Sequence, residues 1–246
     1  MSNKSTIEWT EQTWNPTTGC TKISPGCKNC YAEKMAERLQ AMEAPGYDNG
    51  FNLSLMPHRL DQPIKRKKPT VYFVNSMSDL FHEAIPYEFL DQVFSTIEEA
   101  SQHIFQILTK RSGRMKDYFQ TRRVPPNVWL GVSVEDQIYG KPRIVDLQDI
   151  DATVRFLSCE PLLENLGIID LTSIHWVIVG GESGPKARPM KEEWALSIKN
   201  QCERSKISFF FKQWGEWGQD GIKRNKKANG RSLKGKTWEQ FPIVTS

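Results

Sequence analysis

Apolar residues fall into short runs separated by polar segments punctuated with Gly and Pro. Val71–Val74, Ile104–Leu108, Val128–Val132, Val154–Leu157, Ile174–Val179 and Ser208–Phe211 are rich in β-branched and aromatic residues, and their brevity and composition predict buried strands. A first strand is expected near Ile7–Trp9. Between the runs the spacing becomes helical. Tyr31–Met42 sets Ala32, Met35, Ala36 and Leu39 on one side; a segment opened by Pro86, at the expected first helical position, carries Phe89, Leu90, Val93, Phe94 and Ile97 on one face; and residues 190–205 carry Trp194, Ile198 and Cys202. This alternation gives about seven βα-like units, although the stretch after Glu160 is too short for a long helix. The predicted fold is α/β, with parallel strands in a full or partial (βα) barrel. A doubly wound dinucleotide-binding sheet is disfavoured because no Gly-x-Gly-x-x-Gly follows the first strand.

One domain is expected over residues 1–246, with an irregular insertion at 43–70 and a basic extension at 219–246. Polar residues follow nearly every apolar run: Asn75–Asp79, Thr109–Arg111, Ser133–Glu135, Ser158–Glu160, Gly180–Gly184 and Lys212–Trp214. In a βα barrel these positions converge on the face that carries catalytic groups. Asp79, Lys110, Arg111, Glu135, Glu160, Glu182 and Lys212 are therefore expected to ring one pocket, against the plainer reading that loops after buried strands are simply wet. Lys110, Glu135, Glu160 and Lys212 are the candidates for acid–base or substrate-binding roles. Gly180-Gly181-Glu182-Ser183-Gly184 is a turn whose backbone amides can approach a polar ligand, or a tight turn with no ligand.

Composition narrows the class. No apolar run is long enough to cross a bilayer, and Met1–Ser5 lacks the apolar region of a signal peptide, so a cytoplasmic protein without a membrane partner is expected. The formal charge of +4 permits a nucleic-acid partner without requiring one. Its carriers would be the basic segments Lys65–Lys68 and Lys223–Lys236, for which a solvated loop is the plainer reading. No Ser-His-Asp order, His-Glu-x-x-His or Walker-type loop appears, so hydrolase and nucleotide-triphosphatase readings lack support.

The cysteines add the sharpest chemistry. Three of the five, Cys20, Cys27 and Cys30, lie in one Gly- and Pro-containing loop directly before the predicted Tyr31 helix. Thiolates in such a loop suit a soft metal or an iron–sulfur cluster, and the helix N-terminus favours thiolate over thiol. Three ligands are one short of a closed site. Cys159, beside Glu160, or a histidine is a candidate fourth ligand; His82 follows the Asp79 cluster, His58, His103 and His175 have no special context, and Cys202 reads as a packed apolar residue.

The three-cysteine loop after a first strand, the aromatic Tyr31 and the repeated βα units resemble radical S-adenosylmethionine enzymes, whose barrels are of the TIM type. The resemblance implies a [4Fe–4S] cluster on Cys20, Cys27 and Cys30, with S-adenosyl-L-methionine at the open iron and an electron-donor protein as partner. It further implies cofactor contacts from Asp79, Gly180, Gly181, Glu182 and Ser183. Two departures stand out: six residues separate Cys20 from Cys27 where those enzymes usually have three, and the Gly-Gly-Glu follows about the sixth strand instead of the second. Trp14–Cys20, Phe73–Asp79, Asn127–Glu135, Phe156–Pro161, Val177–Gly184, Ala187–Met190 and Phe209–Gly215 are similar to a family of phage-type three-cysteine proteins without assigned activity. The expected function is reductive cleavage of the cofactor for radical chemistry, with a nucleic-acid base as one suggested substrate. The alternative is a non-enzymatic nucleic-acid-binding protein with a structural zinc or iron–sulfur site.

Overall fold

The computed structural model describes Ser5 and residues 7–243. Residues 1–4, part of the segment read above as lacking a signal region, and residues 244–246 of the basic extension lie outside the described residues. Two compact units are distinguished: residues 1–23, 30–130 and 150–153 form the first, and residues 24–29, 131–149 and 154–246 the second.

In the first unit, β1 is Gln12–Trp14, β2 Thr17–Thr18, α1 Tyr31–Ala41, β3 Ser54–Leu55, α2 Gln62–Lys65, β4 Val71–Val74, α3 Tyr87–Glu99, β5 Ile104–Thr109 and α4 Ser112–Phe119. The first parallel strand is thus Gln12–Trp14, not the expected Ile7–Trp9. Trp9 is buried in a bend with its ring 4.7 Å from that of Phe73, and Thr10 Oγ1 donates to Val71 O, so this short apolar stretch packs across the sheet without joining it. Strand β1 pairs parallel with β4, and β4 with β5. Helix α3 buries Phe89, Leu90, Val93, Phe94 and Ile97, the face its spacing predicts, with Pro86 at the N-cap. The stretch read as irregular contains β3, which pairs antiparallel with β2, and α2.

Strand β6, Val128–Ser133, is buried at every position, as a strand covered on both faces must be. The second unit continues with α5 Gly140–Gln148, β7 Val154–Cys159, β8 Trp176–Gly180, α6 Glu192–Arg204, β9 Ser208–Gln213, α7 Lys226–Asn229 and the hairpin strands β10 Ser232–Leu233 and β11 Lys236–Thr237. No helix lies between β7 and β8, in keeping with the short stretch after Glu160. The tail lines β9: Trp238 O accepts from Phe211 N–H, Phe241 O accepts from Ser208 Oγ, and Gln240 O accepts from Trp176 Nε1.

Seven parallel strands form one sheet in the order β1-β4-β5-β6-β7-β8-β9. The order never reverses, as it would in a doubly wound sheet, and among the described residues β1 is not paired to β9. The fold is α/β with the winding of a partial (βα) barrel. No helix among the described residues is long and apolar enough to cross a membrane.

Candidate metal and cofactor site

In the first unit the site begins with a forced turn. Gly19 has φ +79°, and a Cβ there would lie 2.2 Å from Asn52 O, so only glycine fits. Its N–H donates to Met77 O and that of Cys20 to Phe51 O. These bonds fix the backbone from which the Cys20 thiol projects. Asn15 Oδ1 accepts from Ser76 Oγ and Met77 N, while Asn75, at φ +61°, brackets Thr17.

Arg111, only 5% exposed, organises this turn. Nη1 donates to Cys20 Sγ at 3.5 Å and to Asp79 Oδ2 at 3.2 Å; Nη2 donates to Thr21 O at 3.2 Å and Thr21 Oγ1 at 2.8 Å; Nε donates to both Glu83 oxygens at 2.9 and 2.8 Å. Burial opposes the guanidinium charge, but Asp79, Cys20 and Glu83 outweigh it and hold Arg111 more firmly protonated than an ordinary arginine. Glu83 is the counterpart: its partial burial would raise the carboxyl, yet the Arg111 hydrogen bonds and charge bring it below the ordinary range. Asp79 is spent internally, since Oδ1 accepts from Phe81 N and Thr109 Oγ1, and Oδ2 from Lys110 N as well as Arg111. Lys110 thus meets Asp79 through its backbone. Cys30 occupies the N-cap of α1 and packs against Ala32, Ala36, Tyr47 and Met77; the following Tyr31 hydroxyl donates to Ser76 O.

The second unit holds the segment that carries Cys27. Pro25–Cys27 forms a single 3-10 turn, with Cys27 N–H donating to Ser24 O at 2.9 Å. Two carboxylates grip it. Glu135, 0% exposed, accepts from Ser24 Oγ and pairs with Arg143 Nη1 at 2.6 Å, and a Cβ on Gly26 would stand 3.0 Å from Glu135 Oε1. Glu182 accepts from Asn29 Nδ2 at 3.0 Å and from Arg188, whose Nη2 also donates to Pro25 O. Burial would raise the Glu182 carboxyl, but Arg188 and Asn29 hold it below the usual carboxylate range.

A second polar group sits at the ends of β7, β8 and β9. Lys212 Nζ donates to both Glu160 oxygens at 2.9 Å, and Gln213 Nε2 donates to Glu160 Oε1 and Ser183 Oγ. Gly180 leaves room for Glu160, since a Cβ there would lie 3.2 Å from its Cδ; Gly181 permits a backbone crossing, since its Cβ would lie 1.9 Å from Trp214 O. The structure therefore joins Asp79 with Arg111 in one unit, and Glu160, Ser183 and Lys212 in the other, where Glu135 and Glu182 instead anchor the Cys27 turn. Sequence reasoning missed Ser24, Asn29, Arg143, Arg188 and Gln213. Arg188 lies within the Ala187–Met190 motif, Gln213 within the strand-end group Lys212–Trp214, and Ser24 and Asn29 within the cysteine loop, whereas Arg143 had no signal.

Cys20, Cys27 and Cys30 are in no disulfide and are partly exposed. Cys159 is fully buried, and burial drives its thiol far above the ordinary range; burial likewise pushes Cys202 up to about 12. Neither is poised as a thiolate. His82 accepts from Ala84 N–H at Nδ1, so the neutral ring carries its proton on Nε2 and donates it to Thr21 Oγ1 at 3.0 Å. Burial and the Arg111 charge keep the ring neutral. No group of three or more His, Cys, Asp or Glu among the described residues is placed to hold a metal ion.

A family model described as "Protein of unknown function (DUF5131)" matches residues 4–242. No curated protein matches the chain. Two solved structures of spore photoproduct lyase are similar. One, a double mutant with bound AdoMet and dinucleoside spore photoproduct, has 13% identity and a TM-score of 0.48 over 73% of this chain and 58% of that one. The other, complexed with dinucleoside spore photoproduct, has 11% identity and a TM-score of 0.47 over 83% and 64%. The chain spans less than two thirds of the length of either.

Proposed function

The chain belongs to the DUF5131 family, and we propose that it is an iron–sulfur enzyme of the radical S-adenosylmethionine type. Cys20, Cys27 and Cys30 would hold a [4Fe–4S] cluster whose remaining iron position is open to S-adenosyl-L-methionine. The reading is supported by three partly exposed thiols, those of Cys20, Cys27 and Cys30, while Cys159 is a buried thiol and His82 has both ring nitrogens hydrogen-bonded. A structural zinc, the alternative with a nucleic-acid-binding role, needs a fourth protein ligand.

When bound, the cluster would supply the electron for reductive cleavage of the cofactor, and the radical chemistry would be the cofactor's own. The chain's residues hold and orient. Arg111 fixes the Cys20 turn; Glu135 and Glu182 fix the Cys27 turn through Ser24, Asn29 and, via Arg188, Pro25. The Ser183 hydroxyl and the Glu160–Lys212 pair are the groups assigned to polar parts of cofactor or substrate, with Lys212 Nζ able to give a proton and Glu160 to accept one. Asp79, Gly180 and Gly181 contribute by shaping these supports. The electron would be drawn from a reductant protein, and a nucleic-acid substrate is proposed on the basic segments Lys65–Lys68 and Lys223–Lys236 and the resemblance to phage-type proteins.

Anaerobic reconstitution with iron and sulfide tests the reading. Iron and sulfide bound in equal amounts, and lost in Cys27→Ala, are expected; tightly bound zinc at one per chain, with no iron uptake, overturns it.

A further inference from the structure

Resting on the proposed nucleic-acid substrate and on no metal, we infer that Ser183, Lys212 and Gln213 form a recognition site for a pyrimidine base of a single strand. All three lie in the second unit. Gln213 is only 4% exposed. Its Nε2 donates to Glu160 Oε1 at 3.3 Å and to Ser183 Oγ at 3.0 Å, which spends both amide protons. A carboxylate only accepts, so the amide nitrogen faces Glu160 and the amide oxygen is the atom left over. That oxygen, Gln213 Oε1, is buried and has no hydrogen-bond partner. A buried carbonyl without a donor is costly in a folded chain, and a ligand N–H supplies the donor it lacks.

The neighbours of that oxygen set the rest of the pattern. Lys212 Nζ gives two of its protons to Glu160 and keeps the third, and the Ser183 hydroxyl accepts from Gln213 and keeps its own proton. Ser183, Lys212 and Gln213 thus offer two donors and one acceptor, while the Glu160–Lys212 pair leaves the group without net charge. The complement is a neutral edge with one N–H and two acceptors, the pairing edge of uracil, thymine or cytosine. Guanine brings two donors to the single acceptor, and adenine brings one acceptor to the two donors. The basic extension is tied to the same strand end: Arg231 Nε donates to Lys212 O at 3.0 Å, Trp214 Nε1 to Ser232 O at 2.8 Å, and Asn229 Nδ2 to Gly215 O at 2.9 Å. Lys226, Lys227 and Lys236 are exposed on it and are the groups assigned to the strand's phosphates, which position the strand without reading its sequence.

The test is fluorescence anisotropy of the full chain with labelled oligodeoxythymidylate, oligodeoxycytidylate and oligodeoxyadenylate of equal length at low salt. The two pyrimidine strands are expected to bind at least about fivefold more tightly than the adenine strand. Gln213→Met, which keeps the volume and removes the amide, should abolish that preference while leaving the adenine strand's affinity unchanged, and Ser183→Ala should reduce it. Lys226→Ala with Lys227→Ala should weaken all three strands alike and preserve the preference. A thymidylate strand methylated at base N3 lacks the N–H and should bind the native chain no better than the adenine strand, a result that stands even if Gln213→Met does not fold. Binding of all strands with equal affinity, or a pyrimidine preference that survives both N3 methylation and Ser183→Ala, overturns the inference and leaves the nucleic-acid reading in place. No binding of any strand removes the nucleic-acid reading and the base site with it.

Discussion

Arg143→Met separates a supporting role for Glu135 from a catalytic one. Glu135 is 0% exposed and its carboxylate lies 2.6 Å from Arg143 Nη1, which also donates to Ser133 O at 2.7 Å. Methionine keeps much of the side-chain volume and removes the charge and both donors, so the cost is that of a buried carboxylate left without its cation. Removing one partner of a buried pair costs about 3–5 kcal/mol. For a chain of this size each kcal/mol lowers Tm by about 2–4 °C, which gives a fall of roughly 6–20 °C. Urea unfolding followed by circular dichroism measures it, and Glu135→Gln in the same background should recover part of the loss, because the two residues are in contact and their effects are not additive. Ser24 donates to the same carboxylate, so Cys27 alkylation should also accelerate in Arg143→Met. A loss below about 1 kcal/mol, the size of a single neutral hydrogen bond, refutes the reasoning. Glu135 would then not be an ionised anchor, and an acid–base role would return.

Thiol counting offers a quick check: native cluster-free protein should label Cys20, Cys27 and Cys30 rapidly and the buried Cys159 and Cys202 only after denaturation, whereas fast labelling of Cys159 would restore it as a fourth ligand. Gly181→Ala forces a Cβ to within 1.9 Å of Trp214 O, and the backbone shift should cost about 1–3 kcal/mol or more in unfolding experiments. Glu182 sits below the usual carboxylate range because Arg188 and Asn29 outweigh burial. It therefore contributes stability that is full above the unfolded carboxyl value of about 4.3 and is lost as the pH falls through the folded value. The stability gap between native and Arg188→Gln should be widest near neutrality and close in acid; a gap that widens in acid contradicts the assignment. Lys226→Ala with Lys227→Ala should weaken any nucleic-acid binding and flatten its salt dependence, and an unchanged salt slope removes the electrostatic argument.

Most of the sheet was legible because its central strands are largely apolar. Val128–Ser133 and Trp176–Gly180 are buried on both faces, so a run of apolar residues sufficed to find them. Trp9 misled for the same reason: a buried aromatic beside Ile7 resembles a strand, yet it reaches the core from a bend while polar Gln12 and Thr13 make the ladder to Tyr72 and Phe73. The strand-end residues were legible as a set and not by role. Glu135 and Glu182 look alike in sequence as polar residues after apolar runs; only the positions of Arg143, eight residues on, and Arg188, six residues on, show that both are held in ion pairs. Arg111 was visible as a strand-end residue, but its contact with Cys20 spans 91 positions, and no local pattern encodes such a pairing. The three cysteines were legible at once, because three thiols in one loop are conspicuous at any fold.

The proposed metal centre has an open position for a cofactor. The most direct measurement adds S-adenosyl-L-methionine to the reduced, reconstituted chain and follows both the paramagnetic spectrum and the release of 5′-deoxyadenosine. A spectrum that shifts on addition, with product formed by the native chain and absent in Cys27→Ala, is the predicted result. An unchanged spectrum and no product from a fully loaded cluster would contradict it.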